Sequence, residues 1–421
     1  MNSLENLITS LISIPSPFPF EEKKVEWIEN YLKNHKFNIK KIPIDGRHNL
    51  IASRGNGKKT LMLFGHIDTV PIQGAEDINP HTSEGMNRIQ TLATEYGWES
   101  DPYDPVIKNN ILIGSGAIDM QAGVAAILYT VAKLDDDWFD KNKLVIALTV
   151  AEEHYSEGIY EILKCDELHG INACISTEVL DTQDRVLKNI IPGVETVLLG
   201  RRGRVAIEVK VQGKACHAAT PNLGINAVEE ASRMIQGIKN AIETGDMPLR
   251  SHDILPSASF TTLSISAGTS SLSVPSNCRV VFDRHLVPPE TPEMVLEELK
   301  NVINAIQPPI KYKIQYDPRD VPYLLPFVTS KDQPIVKIVE KVFKKFNKEP
   351  IFSGGNSVAD ENMISSTFYK PPILRGIPTI ILGCRGGNYH GENEWVDLTS
   401  LDELSQVLLE VLKNWSLNEE S

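Results

Sequence analysis

Three short apolar runs, TLMLFG at 60–65, KLVIALTV at 143–150 and NACIST at 172–177, recur through the first half of the chain, each bounded by polar residues. Runs that short and that apolar fit strands buried on both faces, as in a largely parallel sheet. The stretch between the first two reads as helix: residues 120–134 place Val124, Ile127, Leu128 and Val131 on one stripe, with Asp119 at the helix start, where a carboxylate suits the helix dipole. Strand and helix in alternation predict an α/β layer, a mixed, mainly parallel sheet flanked by helices.

From about residue 198 the period changes. RVAIEVKV at 204–211 alternates with period two, 226–242 is helical, SFTTLSIS at 259–266 and CRVVFDRHLV at 278–287 are strands, 292–307 is helical and IKYKIQY at 310–316 closes as a strand. That order is a ferredoxin-like βαββαβ unit, placed at 198–318 and inserted into a first domain made of 1–197 and 319–421. Two domains suit a chain of 421 residues, longer than one core usually grows. The first pattern then resumes with a helix at 332–347, the strand GIPTIILG at 376–383 and a helix at 401–415. Residues 73–100 are polar, long and without clear periodicity, and read as a surface insertion.

The formal charge of -13 disfavours nucleic acid and anionic membrane surfaces as partners. The N-terminus lacks the basic run of a secretory signal and no apolar run is of membrane-spanning length, so a cytoplasmic location is expected. The five cysteines have no short spacing, and read as free thiols.

Ligands of open α/β sheets gather at the carboxyl ends of the strands, so the residues just after each apolar run carry the chemistry. The first run ends in GHIDTVP: His66 and Asp68 share one side of an extended chain, and Asp68 can orient the His66 ring. The second ends in AEE, where Glu152 and Glu153 point to opposite sides of an extended segment, one free to bind metal and the other to move protons. Glu178 ends the third, His390 comes after the loop GCRGGN, and Asp119 after IGSGAI. Several carboxylates brought together repel unless cations lie among them, and mixed imidazole and carboxylate donors suit zinc, cobalt or manganese. GSGAIDMQAG lacks the spacing and the lysine of a nucleotide loop.

GHIDTVP, WESDPYDPVIKNNILIGSGAIDMQAG, TVAEE, STE and a late His390 followed by GENEW resemble, in order, the ligand blocks of the acetylornithine deacetylase, succinyl-diaminopimelate desuccinylase, aminoacylase and glutamate carboxypeptidase family. The resemblance covers nearly the whole chain. It implies two zinc ions per subunit, Asp119 bridging them, His66 and Glu178 completing one site, Glu153 and His390 the other. It makes Glu152 the general base on the water between the ions, Asp68 a supporting catalytic residue and the Asp119–Met120 peptide cis. Residues 1–197 and 319–421 would then be the catalytic domain, and 198–318 a lid through which a homodimer forms.

Within that lid GKACHAATPNLGINA resembles the segment whose histidine serves the partner's oxyanion, matching His217, although a polar strand-exit residue is the plainer reading. PSNCRVVFDRHLVPPE resembles the lid segment whose Asn and Arg contact the substrate, which makes Asn277 and Arg284 candidates for a substrate carboxylate, while Arg284 could equally pair with Glu208. Gly354 and Gly355 precede a polar loop, GGNSVADEN, that is similar to the family's substrate loop. Ser115 stands where many relatives have Arg, and the segment after Pro71 is longer than usual. The expected reaction is hydrolysis of a small N-acyl amino acid, with a carboxypeptidase or dipeptidase of the same family as alternative and a catalytically silent dimeric scaffold as the reading of another class.

Overall fold

The computed structural model describes residues 3–268, 272–367, 369 and 376–416. The chain divides into two units, residues 1–200 with 328–421 and residues 201–327.

Four parallel strands form the centre of the larger unit, in the order Lys143–Thr149, Thr60–His66, Ala173–Ser176, Thr379–Leu382. Their near-continuous burial explains the unbroken apolar runs, since both faces are covered. Antiparallel strands flank them: Arg47–Arg54 and Asn38–Ile44 on one side, Thr196–Arg201 on the other. The register sets His66 opposite Thr149 and Phe64 opposite Ser176, so the strands stop together and their ends share one edge.

The helix Ala122–Val131 is buried on nearly every side, packed between the first helix, Leu4–Ile12, and the last, Leu398–Ser416. A helix in that position can be apolar all round. Gly123 lets it come close: a Cβ there would lie 2.1 Å from the Thr177 carbonyl oxygen. The helix starts two residues later than its periodicity predicts, because Asp119 and Met120 have non-helical dihedrals. The peptide joining them is cis.

A small sheet of Gly386–Gly387, Trp395–Asp397, Ile111–Ile113 and Val106–Lys108 joins the segment leading to Asp119 to both sides of the loop holding His390. Residues 73–100 are not irregular. They contain the helix Ser83–Glu95, N-capped by the Thr82 side chain, which buries Ile89 and Ala93 against Ile72, Ala75, Trp98 and Tyr103.

In the smaller unit the sheet order is Ser259–Ala267, Asn277–Leu286, Gly203–Gln212, Tyr312–Tyr316, all antiparallel. The helices Ala227–Thr244 and Pro292–Ala305 bury Ala231, Met234 and Ile238 together with Val295, Leu299 and Ile303 in one core with the strands. The unit starts at 201 rather than 198 because Thr196–Arg201 pairs into the large sheet. It runs on to 327 because Arg204 N donates to Leu324 O and the Tyr323 hydroxyl donates to Ala206 O.

Candidate metal centre

At the shared strand edge the two oxygens of the Asp119 carboxylate meet two imidazoles: Oδ1 lies 3.2 Å from His66 Nε2 and Oδ2 lies 3.2 Å from His390 Nε2. Each ring has a second acidic neighbour. Glu178 Oε2 is 3.7 Å from His66 Nε2, and Glu153 Oε2 is 3.0 Å from His390 Nε2. All five ligand candidates read from the sequence therefore meet in one cluster, and ligand atoms of His66, Asp119 and Glu153 lie within 4.8 Å of one another.

His66, Glu153 and Asp119 are held from behind. His66 Nδ1–H donates to the backbone carbonyl of Asp68 at 3.0 Å, while the Asp68 carboxylate stands off at 3.6 Å and accepts from Glu153 N at 2.9 Å. Asp68 thus orients His66 through its main chain, and its side chain fixes Glu153 instead. Glu152 and Glu153 do not lie on an extended segment: Ala151 is left-handed at φ 61° and the two glutamates open a single helical turn, Glu152–Tyr155. Glu153 meets His390, and Glu152 lies within electrostatic reach of His66, Asp360, Glu153 and Glu178.

Glu394 is a support that the sequence pattern did not single out, although it lies inside the quoted GENEW. Its buried carboxylate accepts from Gly116 N at 2.7 Å and from Ile118 N and Asp119 N at 2.9 Å each. Three backbone donors of the turn that precedes the helix are satisfied in this way. Asp360, also buried, accepts from Thr149 Oγ1 at 2.8 Å. Asp360 lies five residues after Gly355, and the sequence pattern does not single it out.

Titration of the cluster is governed by its charge. Burial raises Glu152 well above the usual carboxylate range, with Asp360, Glu153 and Glu178 adding to it. Burial and Asp119 push Glu153 up to about 7, and the same two causes raise Glu178. Burial and Asp119 also push Glu394 up to about 8. Burial alone would raise Asp119, but His390 and His66 outweigh it and hold Asp119 well below the usual range. Hydrogen bonds to Asp119 and Glu153 carry His390 up to about 11. Burial opposes charge on His66, yet Asp119, Asp68 and Glu178 lift it well above its ordinary value. A cluster that calls for this much positive charge, and leaves Glu153 Oε1 and Asp68 Oδ1 buried without a hydrogen bond, fits divalent cations.

Gly355 ends the strand Ile351–Gly355 and bridges to Thr182, four residues after Glu178, while Ser357 N donates to Asp181 Oδ2 at 2.6 Å. In the smaller unit His217 is exposed and its Nδ1 accepts from Ala219 N at 3.1 Å, which leaves Nε2 as the donor of a neutral ring. Asn277 is exposed and donates to Ser276 Oγ at 3.1 Å. Arg284 is a correction: its side chain is 0% exposed and pairs with the equally buried Glu290, with Pro248 O as a further acceptor. It is a structural ion pair, and the pairing expected for it with Glu208 belongs to Arg279. All five cysteines are free.

The model of peptidase family M20/M25/M40 matches residues 62–414, a span that contains every group of this centre. The chain belongs to that family. It is a hydrolase acting on amide or peptide bonds. The chain is 26% identical to a succinyl-diaminopimelate desuccinylase of Buchnera aphidicola over 98% of each sequence. Among solved structures, it resembles a tripeptidase from Staphylococcus aureus (TM-score 0.73, 19% identity, 99% of this chain and 98% of that one). It also resembles a dinuclear metal-binding M20 peptidase from Bacillus subtilis (TM-score 0.68, 16% identity, 97% and 96%). At such identities these likenesses show the fold.

Proposed function

We propose that this M20 member cleaves the amide bond of a small N-acyl amino acid, in the manner of acetylornithine deacetylases and succinyl-diaminopimelate desuccinylases, with two divalent cations at the strand edge. The observation that carries the reading is one buried carboxylate, Asp119, facing two imidazoles through its two oxygens. His66 with Glu178 would hold one ion and Glu153 with His390 the other, Asp119 serving both. Such ions, zinc first and cobalt or manganese as substitutes, supply Lewis acidity for the scissile carbonyl and lower the pKa of water. Similarity to a solved dinuclear peptidase supports the stoichiometry.

Glu152 is the general base. Its carboxyl is adjacent to a ligand without being one, which leaves it free to take a proton from water and return it to the leaving amine. Asp68 fixes Glu153 and the His66 ring, so it is a positioning residue. His217 of the partner subunit would donate Nε2–H to the oxyanion in a homodimer formed through the smaller unit, with Asn277 and the Gly355 loop as substrate contacts. The likeness to a tripeptidase favours cleavage of a short peptide as the second reading.

Glu152→Ala is expected to lower kcat by at least about 10²-fold, the scale of general-base catalysis, and to leave metal content unchanged. Asp119→Ala is expected to lose metal as well. Normal turnover by Glu152→Ala, measured beside metal analysis of the same sample, removes Glu152 as the base.

A further inference from the structure

The turn Glu152–Tyr155 bears both the proposed base and a proposed ligand, yet it has little of its own to stand on. It is four residues long, none of them is buried, and it runs between two residues in the left-handed region, Ala151 and Ser156, each at φ 61°. A residue with a Cβ keeps that conformation only where its surroundings enforce it. One hold on the turn is Glu153 N, which donates to Asp68 Oδ2 at 2.9 Å. A second is His154, whose ring lies flat on that of Phe18, with centroids 4.1 Å apart and planes 9° from parallel. Phe18 is itself fixed. The Arg47 guanidinium lies over its ring at 4.5 Å, and Arg47 Nη1 donates to Glu21 Oε1 at 2.9 Å in a pair whose side chains are both buried. Main-chain contacts tie the same segment to the loop after His66: Thr69 N donates to Ser16 O at 3.1 Å, and the Ser16 hydroxyl donates to Ile67 O at 2.8 Å. Residues 16–21 therefore touch the loop of one proposed metal site and the turn of the other.

We propose that Phe18 is a positioning residue for the reaction: stacked on His154, it sets the turn that aims Glu152 and brings Glu153 to its place beside His390. The inference rests on the roles given above to Glu152 and Glu153, and adds the side chain that keeps them in register with the His66 loop. Phe18 is half-buried and His154 is exposed, so the contact is not part of a hydrophobic core. Its strength comes from the ring faces, since stacked rings attract beyond the area they cover and a cation over the same ring adds to that. An aliphatic side chain of similar volume fills the space but offers no face to the imidazole or the guanidinium. A catalytic group displaced by about 1 Å can lose about 10²-fold in rate, so loss of the stack should appear in kcat. KM should move little, because no member of the stack is assigned to the substrate.

The test compares the full chain with Phe18→Leu, Phe18→Tyr, His154→Ala and the double variant Phe18→Leu with His154→Ala. Two readouts are taken on each: kcat and KM with N-acetyl and dipeptide compounds, and the affinity for each of two zinc equivalents by competition with a chelator. Phe18→Leu is expected to lower kcat about tenfold or more with KM within about threefold, and to weaken one zinc equivalent about tenfold while leaving the other unchanged. Phe18→Tyr keeps the ring and is expected to stay within about twofold of the parent in both readouts. The double variant should be no worse than the worse of its two parents, because both act through one contact. This comparison also separates the stack from the other contact of His154, whose Nδ1 lies 2.8 Å from Glu157 Oε1. Parent-like kcat and zinc affinity in Phe18→Leu, an equal loss in Phe18→Tyr, or losses that multiply in the double variant overturn the proposal. If the parent cleaves none of the compounds, the substrate reading falls, and the zinc affinities decide the role of Phe18 by the same criteria.

Discussion

Asp119 works as the pivot of the centre because Glu394 takes up three backbone N–H groups around it. Glu394→Gln keeps the shape but not the charge-assisted bonds, and a supporting group of this kind typically accounts for about 10–100-fold in metal affinity. That loss, measured by competition with a chelator of known affinity, is the expected outcome; unchanged affinity would make Glu394 a mere packing residue. Protons provide a second residue-scale prediction. Without cations His66 and His390 are held charged far above neutrality, and imidazole must be neutral to bind a metal. Loading near pH 7.5 should therefore release protons, from the two imidazoles and from the raised carboxyls beside them, and apparent affinity should rise with pH. The sign for the metal-free chain is opposite. The His390 contacts with Asp119 and Glu153 contribute fully below the unfolded pKa of about 6.5 and are lost as pH rises through about 11. Calorimetry in buffers of different ionisation enthalpy reads the release; an uptake or no net transfer contradicts the account.

At the scale of elements, the Gly123 approach joins two ligands. The helix that begins after Asp119 touches the Thr177 carbonyl next to Glu178, with no room for a side chain between them. Gly123→Ala must push helix and strand end apart, and overpacking of this kind costs about 1–3 kcal/mol. A lowered Tm together with weakened metal binding is expected; a stable variant that binds metal normally would separate the helix position from the site. Much of this layer was legible in the amino-acid sequence, since strands buried on both faces announce themselves as apolar runs, and their ends name the ligands. What was not legible depends on partners distant in the chain. The backbone turn before Ala122 is held by Glu394, 275 positions after Asp119, which no local pattern near Asp119 encodes. The turn at Glu152–Tyr155 depends on the left-handed Ala151, a conformation that alanine does not advertise. The helix Ser83–Glu95 was missed because only Gly85, Ile89 and Ala93 are buried on it, too sparse a stripe for periodicity to show. Arg284 read as a ligand contact because sequence separates a buried guanidinium from an exposed one only when its acidic partner is known, and Glu290 sat six residues away unnoticed.

For the whole molecule, one unit carries a mainly parallel sheet with the five candidate ligands at its edge, and the other an antiparallel sheet with two helices. No helix among the described residues is long and apolar enough to cross a membrane. Family membership establishes hydrolysis of amide or peptide bonds; the dimetal mechanism and its substrate are proposals argued from the geometry. The direct test is to assay hydrolysis of N-acetyl, N-succinyl and dipeptide compounds by the purified chain while its bound metal is counted, then after chelation, and again with zinc or cobalt restored. The account predicts turnover that falls with the metal and returns with about two ions per chain. Turnover that survives complete removal of metal would contradict it, and a fully loaded chain that cleaves none of these compounds would return the scaffold reading.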